Sequence, residues 1–217
     1  KNNRPNLYKH KWLGEPNLLE AKIYKDWKII DEIPHEARLE RYGLDFGYSN
    51  DPTAIVAIYY YNGGYILDEI AYTKGLSNKQ ISDILNNQEK KLVVADSAEP
   101  KSIDEIRSYG VFISPSKKGK DSINQGIQYV QDQKISLTNR SSNIITEYKR
   151  YLWQTDKNGK IINIPDVGFD HAMDAIRYGI NSFKPQKEEK ELVFDWQPQS
   201  EFEGAPQQTK KTEIFIN

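Results

Sequence analysis

The sequence predicts a mixed α/β fold, a sheet of antiparallel and parallel strands flanked by helices. Three observations predict it. Three strand-like runs follow one another from Arg41 to Tyr72 with short turn signals between them. Short apolar runs then alternate with helical stretches, the pattern of strand–helix units. A last helical stretch, "FDHAMDAIRYGINSF", closes the body at Phe183.

The elements follow in order. Residues 1–40 show weak periodicity and hold Pro5, Pro16 and Pro34. They read as a lead-in that packs on a body rather than forming one. "YGLDFGYS", "TAIVAIYYY" and "GYILDEIAY" form a meander, with "YNGG" as the turn between the second and third. "SNKQISDILNNQ" is helical, with Ser77 or Asn78 as N-cap. "KLVVADS" is apolar enough for a strand buried on both faces. "PKSIDEIRSYG" is a helix with Pro100 near its start and Gly110 at its end. Next come a strand "VFISPS", a helix "DSINQGIQYVQDQ", a strand "KISLT" and a helix "SNIITEYKRYLW". "WQTDKNGKIINIP" is an added β-hairpin turning at Asn158-Gly159. Residues 184–217 are rich in Lys, Glu, Gln and Pro and are expected to form a flexible tail.

Composition narrows the function. A hydrophobic fraction of 37% with 14 tyrosines and 4 tryptophans supports a folded core. The net charge of -1 makes the whole chain unsuited to binding polyanions generically, so any nucleic-acid surface is a local patch. The absence of cysteine excludes disulfides and thiolate zinc sites. No apolar run approaches the roughly 20 residues of a membrane span.

Carboxylates stand where structural residues are unusual. Asp45 lies inside the first strand and Asp96 ends "KLVVAD". Asp170, His171 and Asp174 open the last helix, where spacings of three and four place His171 and Asp170 on the face of Asp174. Desolvating an unpaired carboxylate costs several kcal/mol, and three brought together repel one another. A divalent cation resolves that conflict, and a donor set of hard oxygens with one imidazole suits Mg²⁺ or Mn²⁺. Gly43 and Gly47, two residues either side of Asp45, read as room for ions and a phosphate. Structural alternatives stay open. Asp45 can pair with a buried Lys or Arg, Asp96 can cap the helix after it, and Asp170 can cap the last helix. His171 alone can be a surface or core histidine. Asp51, before Pro52, reads as a turn residue, and Asp68, Glu69, Asp83 and Asp104 suit exposed faces or charge pairs.

"GLDFGYSNDPTA", "VVADSAEP", "KKGKDSINQGI", "YLWQTDKNGKIINIP" and "DHAMDAIRYGI" occur in this order over roughly 41–183. Together they resemble the C-terminal nuclease domain of tailed-bacteriophage terminase large subunits, and within these the headful-packaging branch of phages of Gram-positive bacteria. "YKHKWLGE" is similar to the stretch after that family's ATPase domain, and 184–217 resemble nothing nameable. The resemblance implies a ribonuclease H-like fold and an endonuclease that cuts double-stranded concatemeric DNA during genome packaging. It implies two divalent cations held by Asp45, Asp96 and Asp174, with His171 as a further ligand or a proton-handling group. Asp45 and Asp174 would hold the ion that activates water, and Asp45 and Asp96 the ion that steadies the 3′ oxygen. The implied partners are DNA, the portal protein, the small terminase subunit and an ATPase domain of the same polypeptide. The implied place is the procapsid portal in the host cytoplasm. No G-x-x-x-x-G-K-[ST] phosphate loop is present, so the ATPase is expected to lie outside this stretch.

DNA contact requires positive charge near the site. Lys117, Lys118 and Lys120, beyond the fifth strand, are candidates, as are Lys157 and Lys160 on the hairpin. No pattern of base readout is visible, so little sequence specificity is expected. Two other readings are a portal-docking module without enzymatic activity and a resolvase- or transposase-type nuclease of the same fold.

Overall fold

A computed structural model describes residues 18–183 except 48, 49, 118 and 120. The expected tail at 184–217 and residues 1–17 of the lead-in lie outside the described residues. A one-turn helix α1 (Leu18–Ala21) precedes strand β1 (Lys28–Ile30). The meander follows as β2 (Arg38–Asp45), β3 (Pro52–Tyr61) and β4 (Gly64–Lys74). Strand–helix units then supply α2 (Asn78–Asn86), β5 (Leu92–Ala95), α3 (Pro100–Ser108), β6 (Ile113–Pro115), α4 (Ser122–Gln131), β7 (Ile135–Thr138) and α5 (Ser142–Arg150). The hairpin is β8 (Trp153–Thr155) with β9 (Ile161–Pro165), and α6 (His171–Asn181) closes the body.

Seven strands form one sheet in the order β1-β7-β4-β3-β2-β5-β6. β2, β3 and β4 are antiparallel, and Asn62 and Gly63, which join β3 to β4, both take positive φ. That is the two-residue turn whose twist matches a hairpin, and Asn-Gly adopts it at least cost. β5 pairs parallel with β2 and β6 with β5, while β7 pairs parallel with β4. β3 lies at the centre because its run is apolar on both faces. Ala54, Val56 and Ile58 point into one core with α4, α5 and α6, and Ile55 and Ala57 into the other with α2 and α3.

Ser77 caps α2 through a full capping box with Gln80, as its hydroxyl and the Gln80 spacing predict. The lead-in is more structured than its pattern suggests. β2 begins at Arg38, and β1 adds a strand on the β7 edge. Ile23, Tyr24 and Trp27 are buried in the α6-side core. Trp27 stacks between Tyr24 and Tyr148, each 4.8 Å between ring centroids. Its amide donates to the Tyr148 hydroxyl at 3.2 Å. This short segment enters the core through isolated aromatics, which leave no periodic trace.

The hairpin turn also differs from expectation. The connection spans Asp156 to Lys160, with only Gly159 at positive φ. The Asp156 carboxylate accepts the amides of Asn158 and Lys160 at 2.8 and 2.9 Å, building the turn from a side chain.

Candidate metal centre and active site

Parallel pairing brings the ends of β2 and β5 to one edge of the sheet. Asp45 is the last residue of β2, and Asp96 follows β5, its amide donating to the Leu44 carbonyl at 3.2 Å. α6 lies across the same strands. A β-carbon built on Gly43 would sit 2.6 Å from the Ala175 carbonyl carbon and closer still to its oxygen. Gly43 is therefore small because the helix backbone touches it, not to leave room for an ion. A β-carbon on Gly47 would collide with the Asp51 carbonyl and Pro52, so that glycine is small because the backbone at 51–53 passes against it. The close approach lets the first turn of α6 hang over Asp45.

His171 Nδ1 lies 3.2 Å from Asp45 Oδ2, and the Asp45 side chain is only 12% exposed. Among the described residues no lysine or arginine pairs with it, so the buried basic partner is not found. Burial pushes the Asp45 carboxyl up to about 7, with the nearby charges of Asp174 and Asp96 adding to the rise and His171 opposing it. His171 is raised above its ordinary value, first through its hydrogen bond to Asp45. On the other side His171 Nε2 stands 3.9 Å from Asp51 Oδ1. Asp51, which the sequence suggests only as a turn residue, thus reaches the rim of the site.

Asp174 is held differently. Its carboxylate takes Arg177 Nη2 at 2.7 Å, Arg177 Nε at 3.3 Å and the Tyr178 hydroxyl at 3.3 Å. Arg177 is buried, and although burial alone lowers its pKa, the pairing with Asp174 raises it overall. Both partners lie three and four residues along the same helix, the spacing that relates Asp174 to its other neighbours, so this signal was readable in the sequence. Asp96 Oδ1 accepts the Ala98 amide at 3.0 Å. It does not cap α3, whose N-cap position is Glu99 and has no side-chain cap bond.

Asp170 occupies the N-cap position of α6 but makes no side-chain cap bond there, so its expected capping role is not realised. Its carboxylate instead accepts the Gly168 amide at 3.2 Å, and burial raises its pKa. The amides of Ala172 and Met173 go to Glu147, a residue without sequence signal. Glu69 caps α5 in the same way, accepting the amides of Asn143 and Ile144 at 3.0 Å. Asp68 is 3% exposed and pairs with Arg140.

Among the described residues, no three carboxylate or imidazole groups are gathered tightly enough to hold an ion as they stand. Their chemistry nevertheless suits a hard divalent cation. Asp45 is a buried carboxylate with His171 but no lysine or arginine beside it among the described residues, and it is repelled by two other carboxylates on separate elements. An ion would relieve that repulsion, and each carboxylate offers about four lone-pair positions, so Asp174 can keep its helix partners.

Lys117 is exposed just past β6, at the edge that carries Asp96. Lys157 and Lys160 are exposed on the hairpin connection. Lys118 and Lys120 lie outside the described residues.

The profile of the family described as "Terminase RNAseH like domain" matches residues 45–182. The chain belongs to the terminase RNase H-like family. The large terminase subunit of Bacillus phage SPP1 is 34% identical over 185 residues, covering 79% of this chain and 44% of that protein. The PBSX phage terminase large subunit of Bacillus subtilis is 28% identical over 199 residues, covering 83% and 44%. The terminase domain thus spans under half the length of these relatives. In three dimensions it resembles the large terminase nuclease domain of SPP1, solved with bound Mn, with a TM-score of 0.65 and 29% identity. That likeness covers 73% of this chain and 97% of the other. The large terminase of a thermophilic bacteriophage shares the fold, with a TM-score of 0.62 at 20% identity over 75% of this chain and 45% of that one. Among the described residues no helix is long and apolar enough to cross a membrane.

Proposed function

We propose that this domain is a Mg²⁺- or Mn²⁺-dependent endonuclease that cuts double-stranded concatemeric DNA during phage genome packaging. One observation carries the reading: Asp45 is a buried carboxylate that meets His171 and the fields of Asp96 and Asp174, with no lysine or arginine paired to it among the described residues. The Mn-bound SPP1 nuclease domain, similar over almost its whole length, supports a divalent cation as the missing charge.

Asp45 and Asp174 would hold one cation, and Asp45 and Asp96 the other. When bound, the cations supply the Lewis acidity that activates a water and offsets charge on the departing 3′ oxygen. β2 fixes Asp45 on a rigid strand, and Arg177 and Tyr178 hold the Asp174 carboxylate at one orientation. His171 would hold a proton at the Asp45 side of the site, where it can orient that carboxylate or serve the leaving oxygen. Lys117, Lys157 and Lys160, with Lys118 and Lys120 nearby in sequence, contact phosphates and give little sequence preference. The ATPase domain of the same polypeptide, the portal and the small subunit direct where the cut falls, at the procapsid portal in the host cytoplasm.

The test is cleavage of supercoiled plasmid with Mn²⁺. Cleavage is expected from the parent and lost in Asp45→Ala and Asp96→Ala. Parent-like cutting by both variants overturns the site.

A further inference from the structure

The first turn of α6 carries His171 and Asp174, so whatever sets that turn sets the site. The helix does not cap itself, because Asp170 turns back to Gly168. The cap comes from Glu147 on α5, which is 1% exposed. Its Oε2 accepts the Ala172 amide at 2.7 Å and the Met173 amide at 3.2 Å. Its Oε1 accepts the Tyr72 hydroxyl from β4 at 2.6 Å.

A buried carboxylate here demands a reason, since a neutral apolar residue would avoid the cost of desolvation. Three donors converge on Glu147, and an ionised carboxylate can only accept. A glutamine amide would supply one acceptor oxygen and turn an NH₂ toward further donors. Negative charge also suits the positive end of a helix dipole. α5 is itself held at both ends. Glu69 caps its start from β4, while Trp27 and Tyr24 pack on Tyr148 and Tyr151 near its end. The socket that holds Ala172 and Met173 is thus tied to the sheet and to the lead-in, and both residues lie between His171 and Asp174 in the chain.

We propose that Glu147 is a positioning residue, fixing the first turn of α6 so that His171 and Asp174 face Asp45. It rests on the nuclease reading above, and it reaches substrate only through α6. Removing a group that orients metal ligands costs about 10- to 100-fold in metal affinity or activity.

The experiment compares Glu147→Gln, Glu147→Ala and Tyr72→Phe with the parent in three readouts. These are hydrogen exchange at the Ala172 and Met173 amides, the Mn²⁺ concentration for half-maximal cleavage, and kcat against KM for plasmid DNA. Glu147→Gln is expected to speed exchange at those amides, raise the Mn²⁺ requirement and lower kcat about tenfold or more, with KM for DNA unchanged. Glu147→Ala is expected to exceed it. Tyr72→Phe, which leaves the cap in place, is expected to shift all three less and in the same direction. Parent-like exchange and Mn²⁺ requirement in folded Glu147→Gln overturn the proposal, as does a kcat loss that only follows the unfolded fraction. If Glu147→Ala does not fold, Glu147→Gln and Tyr72→Phe decide the matter. A parent that cuts no DNA with any metal overturns the nuclease reading instead, and the exchange at Ala172 and Met173 then judges Glu147.

Discussion

Gly43→Ala distinguishes a contact between backbones from a space kept for ions. The added β-carbon would sit 2.6 Å from the Ala175 carbonyl carbon and 3.4 Å from its Cα. Carbon atoms pack at about 3.5–4.0 Å, so α6 has to retreat from β2 by about 1 Å. At the neighbouring pass a β-carbon on Gly179 would run into the Ile58 side chain and lie 3.5 Å from Gly43 Cα, an ordinary contact. No flexible side chain can yield at Ala175, because the colliding atoms are main chain. Overpacking of this kind costs about 1–3 kcal/mol, which lowers the melting temperature by about 2–4 °C per kcal/mol in a chain of this size. The same displacement carries Asp174 and His171 away from Asp45, and a misplacement of about 1 Å can cost about a hundredfold in rate. The assay pairs thermal melting with plasmid cleavage at saturating Mn²⁺. Gly119→Ala, whose β-carbon meets nothing among the described residues, serves as the stability control. Gly43→Ala is expected to melt well below both the parent and that control and to cut poorly. A variant that melts with the parent but needs more Mn²⁺ refutes the packing account and restores the glycine as space for ions.

Two further outcomes follow from the unequal settings of the carboxylates. Asp45→Asn is expected to abolish cleavage yet raise the melting temperature at pH 8 in EDTA. It removes a charge whose pKa stands at about 7 against an ordinary 3.8, a strain of roughly 4 kcal/mol. Asp174→Asn is expected to lower the melting temperature, because it leaves buried Arg177 without its counter-charge; the reverse order of the two variants would contradict the assignment. The pH dependence has a definite sign. Asp45, Glu147 and Asp170 are all raised by burial, Asp45 to about 7, so above the ordinary carboxylate range the folded chain holds protons that the unfolded chain has released. Stability of the metal-free protein is therefore expected to fall as pH rises from about 4 through 7. Mn²⁺ should recover most of it at pH 8, and denaturant melts that stay flat with pH in EDTA would contradict the sign.

Much was determined by local pattern. Strand runs, the Asn62-Gly63 turn and the Ser77 capping box follow from period, φ preference and side-chain reach, all of which act within a few residues. The order of elements and the motif strings point to the ribonuclease H-like sheet and the terminase family. Asp45 stands out because a charge in a run that reads as a buried strand is a conflict visible in one dimension, though the strand ends on it, and Asp174 and His171 because helical spacing places them together. The rest depends on which elements meet. Glu147 caps α6 from 24 residues upstream of its first residue, and nothing in "SNIITEYKRYLW" reports that its acid will meet two amides of another helix. Asp170 holds the cap position in sequence, yet the Gly168 loop turns its carboxylate away. Gly43 gave the wrong reason for its size, because a helix backbone arriving from 132 residues later is invisible to local spacing. Trp27 and Tyr24 enter the core from a segment without period. Sequence alone determined which groups carry the charge. Only the tertiary structure decided which of those charges are balanced, since balance depends on through-space neighbours: Asp174 meets Arg177, and Asp45 meets a histidine and two more acids.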